Sequence, residues 1–199
     1  MLNYRNLKLE IFEQVYEPAE DSFMLADYVS KIKGEILEIG CGSGIVSLSA
    51  AVADKNNQVL GVDINSLAVK NAEYNRQLNK LLNAKFMVSG LFSKVPKKKF
   101  DFILFNPPYL PTNKSEKLSG IINHAFDGGK DGRKVLDRFL AEFEHYLKKD
   151  GSLLLVHSSL NNSEKTMKFL EKKFFICETL SEQSFFFEKL ILIKATRRL

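Results

Sequence analysis

The chain has 199 residues, 45% apolar and 27% charged, with a formal net charge of +5, enough for one domain with a full core and close to the globular average. No apolar run reaches the ~20 residues that span a bilayer, the first residues lack the apolar core of a signal peptide, and two cysteines make no disulfide framework, so a cytoplasmic protein is expected. Lysine clusters at 97–99, 148–149 and 172–173 fit either a solvated surface or attraction to RNA or a ribosomal partner, and the three histidines and two cysteines show no metal-site spacing.

Along the chain, apolar β-prone runs alternate with amphipathic stretches. Residues 23–29 read as a helix with Ser22 in capping position. Residues 36–39 read as a buried strand, followed by a glycine turn and a helix over 45–53. A second strand over 58–62 leads into a helix over 66–78, with Leu67, Ala68, Ala72 and Leu78 predicted to face inward. Strands follow at 85–88 and 100–105. After a long loop, 106–133, comes a helix over 135–147, with Leu136, Phe139, Leu140, Phe143 and Leu147 on one stripe. A fifth strand (152–156), a helix (163–172) and two closing strands (174–180 and 186–195) complete the chain. Only residues 181–185 join the closing pair, so these two strands should run antiparallel. The alternation predicts an α/β fold, a mostly parallel seven-stranded sheet with helices on both faces. The one long loop has the length at which loops are usually functional or mobile.

Two motifs carry chemistry. The first strand ends in Glu38-Ile39-Gly40-Cys41-Gly42-Ser43-Gly44 and then a helix. Glycines permit a tight turn and close approach of backbone to a ligand, and the helix start adds free N–H groups. The G-x-G-x-G spacing is not that of the dinucleotide fingerprint, and no Lys-Ser/Thr follows, which excludes a triphosphate P-loop. Asp63, at the end of the second strand, can accept hydrogen bonds from both hydroxyls of a ribose. Glu38 lies in an apolar strand and needs a cationic or donor partner, which a ligand's ammonium group could supply. The plain alternative is a structural glycine turn with two incidental acids.

The second motif is Asn106-Pro107-Pro108-Tyr109, at the carboxyl end of the fourth strand, where open α/β sheets bind ligands. Two prolines stiffen the loop. The Asn106 amide oxygen and the Pro107 carbonyl are two acceptors suited to an NH₂ group, and Tyr109 offers an aromatic face for a planar amide or base. Holding both hydrogens weakens amide conjugation and aims the nitrogen lone pair, so catalysis would rest on orientation and preorganisation. The plain alternative here is a proline-rich turn.

Four segments in order resemble the HemK/PrmC family of glutamine methyltransferases, in its short archaeal and eukaryotic form: Val15 to Ser22, Glu38 to Gly44, Asn106 to Tyr109, and Phe126-Asp127-Gly128-Gly129-Lys130-Asp131-Gly132-Arg133. The resemblance implies the class I S-adenosylmethionine-dependent methyltransferase fold with an antiparallel last strand. It also implies one such domain over 1–199, with residues 1–30 covering the cofactor site. By position, Asn106 and Pro107 would hold the substrate amide and Tyr109 would pack on it. Glu38 and Gly40 would line the methionyl part of S-adenosylmethionine and Asp63 its ribose. Ser22, Gly42, Gly44, Ile64, Leu91 and Asn106 complete the expected cofactor contacts, and Ser22 is either one of these or the helix cap. Asp127 and Arg133 are either catalytic neighbours or a turn and a surface anion-pairing arginine.

The family commonly has Asp where this chain has Gly90, which removes an acceptor for the adenine amino group. Backbone groups at Leu91 or the Ser89 hydroxyl are the available substitutes. The implied substrate is the Gln of the Gly-Gly-Gln loop of a translation release factor, with the glycines at 128, 129 and 132 expected to leave room for its backbone. A small zinc-binding activator subunit is the implied partner. Competing readings are an adenine-N6 or guanine-N2 methyltransferase acting on nucleic acid, and a non-catalytic cofactor-binding scaffold. No appended domain for flipping a base is evident, and the Asn106–Tyr109 loop is complete.

Overall fold

The computed structural model describes residues 1–112, 122, 125–186 and 188–198. The elements in order are β1 (Leu2–Tyr4), β2 (Leu7–Leu9), α1 (Glu20–Tyr28), β3 (Glu35–Ile39), α2 (Ile45–Ala53), β4 (Gln58–Asp63), α3 (Ser66–Leu78), β5 (Ala84–Val88), β6 (Phe100–Phe105), α4 (Lys134–Glu142), β7 (Leu147–Ser158), α5 (Ser163–Lys172), β8 (Phe175–Ser184) and β9 (Lys189–Arg197). Seven strands form one sheet in the order β5-β4-β3-β6-β7-β9-β8, and β1 and β2 make a separate antiparallel hairpin. Pairings from β5 through β7 are parallel, and β9 is antiparallel to both β7 and β8. Among the described residues, no helix is long and apolar enough to cross a membrane.

The strands alternate between two cores, as period-2 geometry demands. Ile36, Leu104 and Leu154 face α1 and α2, where Leu25 and Leu48 are fully buried. Leu37, Ile103, Phe105 and Leu155 face the other way, onto Leu136, Phe139, Phe143 and Phe175. The Phe105 and Phe139 rings meet at 4.4 Å, and Phe139 stacks on Phe143 at 5.6 Å, which fixes α4 against the end of β6.

The structure departs from the sequence expectations where polar residues do structural work. The predicted helix over 135–147 is shorter: α4 ends at Glu142, a 3-10 turn covers Phe143–His145, and Leu147 already starts β7, paired with Phe100. Its five stripe residues are nonetheless all buried. Lys148-Lys149-Asp150 hides the first part of β7, and Ser181–Ser184 belongs to β8, so the link between the closing strands is 185–188. Helix α1 begins at Glu20 with Ala19 as N-cap, so Ser22 sits inside the first turn and does not cap it. Of the predicted 106–133 loop, residues 113–121, 123 and 124 lie outside the described residues, as does 187 in the last predicted strand.

The largest departure is on α3. Ala68 and Ala72 are buried, but Leu78 is exposed, and the inward stripe is carried by asparagines. Asn71, Asn75 and Asn79 recur every four residues and face β2 and the extended segment after it as a strand would. Asn79 Oδ1 accepts from Lys8 N–H (3.0 Å) and its Nδ2 donates to the Lys8 carbonyl (2.7 Å). Asn75 makes the same pair with Glu10 (2.8 and 2.9 Å), and Asn71 accepts from Phe12 N–H at 3.0 Å. Asn65, at the N-cap, reaches the Gln14 carbonyl at 2.9 Å. This ladder satisfies backbone groups of residues 8–14 and runs the chain along α3, so that it reaches the carboxyl ends of the strands at Gln14. Asn75 is fully buried and also donates to the Ser43 carbonyl at 2.9 Å. Asn75→Ala should lower unfolding free energy by roughly 1–3 kcal/mol, since it orphans buried backbone groups. Asn79→Ala, at the solvent edge, should have the smaller effect, and urea unfolding of the two variants checks the order.

Candidate active site

Parallel pairing sets Ile39 beside both Val62 and Phe105, so the loops that follow β3, β4 and β6 emerge at one level. The β3 loop closes on β4: Gly40 and Cys41 N–H both donate to the Val62 carbonyl, at 2.7 and 3.0 Å. Gly42 N–H donates to Asp63 Oδ2 at 2.9 Å, and Asn65 N–H to Asp63 Oδ1 at 2.8 Å. Gly42 has φ +53°, and a Cβ there would meet nothing within 4 Å, so the backbone stands open to the space above it. That space is a cavity of about 440 Å³, within the range of small-molecule sites.

The cavity collects Ser22, Glu38, Gly40, Gly42, Asp63, Ile64, Leu91, Asn106 and Pro107 along its wall. It does not include Gly44 or Tyr109. Gly44 is the N-cap of α2 and packs on Ala72, where a Cβ would approach to 3.0 Å. The Tyr109 ring is half-buried toward the α1 side of the core, and its hydroxyl donates to Asp21 Oδ2 at 3.2 Å.

Glu38 is 3% exposed and points toward α2. Its protein partner is Ser47, whose N–H (2.9 Å) and hydroxyl both donate to Oε2. Among the described residues no hydrogen bond reaches Oε1. Burial raises the Glu38 carboxyl to about 8, the Ser47 bonds oppose that rise, and Asp63 adds to it. The site therefore holds a carboxyl that is costly to ionise until a cation arrives.

Asn106 follows β6, and its Oδ1 is buried without a hydrogen-bond partner among the described residues. Native structures rarely leave such an oxygen orphaned without a functional reason. The loop is braced from behind by the glycine-rich segment. Gly128 N–H donates to the Leu110 carbonyl at 3.0 Å, Thr112 N–H to the Gly129 carbonyl at 2.9 Å, and the Thr112 hydroxyl to Asp127 Oδ1. The expectation that these glycines leave room for a substrate is corrected here. A Cβ on Gly128 would lie 2.8 Å from the Pro108 carbonyl, and one on Gly132 2.3 Å from the Tyr109 carbonyl. The small residues are needed because the catalytic-loop backbone already fills that space.

Arg133 is also corrected. It is 3% exposed and donates to the carbonyls of Asn161 (2.7 Å) and Asn162 (3.1 Å), to Thr166 Oγ1 (2.9 Å) and to Asp137 (2.6 Å). It anchors the segment to the start of α5 and is neither a surface arginine nor a cavity residue. Thr166, accepting from Arg133, donates in turn to His157 Nε2 at 2.9 Å, and burial lowers that imidazole to about 4, which keeps it neutral. Asp127 does line the cavity.

At the Leu91 end, the Ser89 hydroxyl donates to the Leu91 carbonyl (2.9 Å) and accepts from Lys94 N–H (3.0 Å). Gly90 lines the cavity, and a Cβ there would make only ordinary contact with Ile64 at 3.7 Å. Sequence reasoning passed over Asp21, Tyr16 and Ser47. Asp21 and Tyr16 stood in the Val15–Ser22 segment, but nothing in that string shows that they meet Tyr109.

The chain matches the methyltransferase small domain family over residues 20–126. It is 43% identical over 198 residues to a putative protein N5-glutamine methyltransferase of Methanocaldococcus jannaschii, covering 99% of each chain. It is 34% identical over 172 residues to methyltransferase HEMK2 of Homo sapiens, covering 81% of this chain and 80% of that one. In fold it resembles the E. cuniculi Mtq2-Trm112 complex, described as responsible for methylation of the eRF1 translation termination factor. The TM-score is 0.72 at 22% identity, over 93% of this chain and 99% of the other.

The raised Glu38 carboxyl fixes a pH dependence. Its folded value, about 8, lies above the ordinary carboxyl value of 4.5, so the native state binds more protons than the unfolded one between those limits. Its stabilising contribution is full below about pH 4.5 and is lost as pH rises through 8, at a slope of up to about 1.4 kcal/mol per pH unit. Glu38→Gln should flatten that slope in denaturant midpoints measured from pH 5 to 8.

Proposed function

This chain belongs to the methyltransferase small domain family, and from that premise we propose that it transfers a methyl group from S-adenosylmethionine to the side-chain amide nitrogen of a glutamine in the Gly-Gly-Gln loop of a translation release factor. The observation that carries the reading is the buried Asn106 Oδ1, without a hydrogen-bond partner among the described residues, on the residue that lines the cavity with Glu38 and Asp63. The relatives support the acceptor: a protein N5-glutamine methyltransferase by name, and a fold neighbour described as methylating a termination factor.

The residues fit the cofactor. Glu38 Oε1, with no protein donor among the described residues, suits the methionyl ammonium group. Asp63, oriented by two backbone N–H bonds, suits the ribose hydroxyls, while Ile64 and Leu91 flank the place for adenine. Ser22 borders the cavity from α1, beside Gln14, Tyr16, Pro18 and Asp21 of the same N-terminal segment. When bound, S-adenosylmethionine supplies an electrophilic methyl group on a sulfonium.

The chain's own residues prepare the nucleophile. Asn106 Oδ1 and the Pro107 carbonyl accept the two amide hydrogens and hold the nitrogen lone pair out of conjugation. Pro107 and Pro108 keep those acceptors fixed, which avoids reorganisation during transfer. Methylation replaces one N–H by N–CH₃ and releases one proton. Tyr109, half-buried on the α1 side of the core, closes the loop on the side away from the cavity. A small zinc-binding activator subunit is the expected partner; the fold neighbour is itself a complex of Mtq2 with Trm112.

The test is a methylation assay on a release factor with its Gln intact or changed to Ala, with and without the activator, beside duplex DNA and ribosomal RNA. Label confined to the Gln protein is expected; equal label on both proteins, or on nucleic acid alone, overturns the glutamine reading. Asn106→Ala should keep cofactor affinity and lose about 10²–10³ in turnover. Asp63→Ala should weaken cofactor binding by roughly ten- to hundredfold in calorimetry, the effect of losing a hydrogen bond to a charged group.

A further inference from the structure

Asp21 is a carboxylate that the methyl-transfer chemistry above does not use, yet it is 4% exposed and borders the cavity. Among the described residues no Lys, Arg or His pairs with it. Its donors come instead from three segments. The Tyr16 hydroxyl donates at 3.1 Å to each oxygen, the Tyr109 hydroxyl at 3.2 Å to Oδ2, and Ser22 gives its N–H (2.6 Å) and hydroxyl (3.2 Å) to Oδ1. A buried charge held only by neutral donors is an expensive way to fill space, and an apolar residue would pack the same gap at lower cost.

We infer that Asp21 is a positioning residue of the methyl-transfer site: its carboxylate locks the Tyr109 hydroxyl of the Asn106–Tyr109 loop and the Tyr16 hydroxyl of the N-terminal segment to one point, with both phenols oriented as donors. An ionised carboxylate is acceptor-only, so both hydroxyl protons must turn toward it. With both protons committed to Asp21, each phenol can offer any further neighbour only its lone pairs. An amide at position 21 would remove that constraint, because its NH₂ can donate to a phenol oxygen and let the hydroxyl rotate. Burial beside Asp21, with Glu188 nearby, pushes both phenols far above their ordinary range, so they remain donors at any physiological pH. The edge-on contact of Tyr16 with Phe126, centroids 5.4 Å apart, extends the unit to the glycine-rich segment.

The inference rests on the glutamine reading only for the acceptor used in the kinetic arm. Asp21→Asn should bind S-adenosylmethionine within about threefold of wild type, while kcat on the release factor falls at least tenfold, and Asp21→Glu should recover part of that loss. Tyr109→Phe should cost a similar factor alone and add nothing to Asp21→Asn. An unchanged kcat in a folded Asp21→Asn protein, or fully additive losses, overturns the inference. Should Asp21→Asn not fold, Tyr109→Phe and Tyr16→Phe decide, and normal turnover in both overturns it. A second arm needs no substrate: with ¹³Cζ-tyrosine, two of the six tyrosine signals should move in Asp21→Asn. If wild type labels no glutamine, that reading fails while the spectrum still judges Asp21, and an unchanged spectrum overturns the inference.

Discussion

The site depends on one constraint, the parallel register of β4, β3 and β6. With Ile39 level with Val62 and Phe105, Gly40, Asp63 and Asn106 begin their loops at the same height. Hydrophobic alternation alone does not set this register, because Ile36, Leu37 and Ile39 are all buried, on both faces. A slip by one residue would carry Glu38 to the opposite core. What prevents it is polar: the Gly40 and Cys41 N–H groups closing on the Val62 carbonyl, and the Ser47 donors that receive Glu38 on the α2 side. The groups that position the ligand site also fix the sheet that carries it.

Around that level line the protein keeps carboxyl groups that meet no cation among the described residues. Glu38 has Ser47, and Asp21 has two phenols and Ser22. Such groups raise the energy of the empty site, and they need no rearrangement when a cationic or N–H-bearing ligand enters. The catalytic loop is held in the same spirit. Its prolines limit its own freedom, while Gly128 and Gly132 press against the carbonyls of Pro108 and Tyr109 and Arg133 ties that brace to the start of α5. A single methyl group at Gly132 would have to displace the Tyr109 backbone.

Much of this was legible in the sequence because it is written in period and punctuation. The seven sheet strands, the reversed β9 and the two chemical loops follow from apolar runs broken by Gly and Pro. What escaped is written in polar side chains that bond backbone at long range. Asn71, Asn75 and Asn79 look like a solvent-facing stripe, which made Leu78 the apparent inward residue. Their partners, Lys8, Glu10 and Phe12, lie about sixty to seventy residues away in an unremarkable segment. The β1–β2 hairpin was missed because three-residue strands leave no periodic signal. Arg133 and Tyr109 were identified as residues of interest, but a sequence cannot show that Arg133 is buried among carbonyls or that Tyr109 turns its hydroxyl to Asp21.

Charge placement bears on the acceptor in a way the net value of +5 obscures. Lys97–Lys99 precede β6 and Lys148–Lys149 lie at the start of β7, so these clusters sit at the opposite end of the parallel strands from Asn106. The segment that leads from the asparagine ladder into α1 carries Glu13, Glu17 and Glu20, all exposed, among the Gln14, Tyr16 and Pro18 that border the cavity. Lys134 and Arg138 line the cavity from the α4 side. A duplex laid across this mouth would set phosphates against the acidic segment, and like charges at contact distance oppose docking. A glycine-flanked peptide loop carries no such charge and needs only width enough for one side chain. The basic surface, being remote, is free to serve attraction to a larger acidic body without passing nucleic acid through the site. The same ladder that positions this segment thus sets acidic groups beside the entrance.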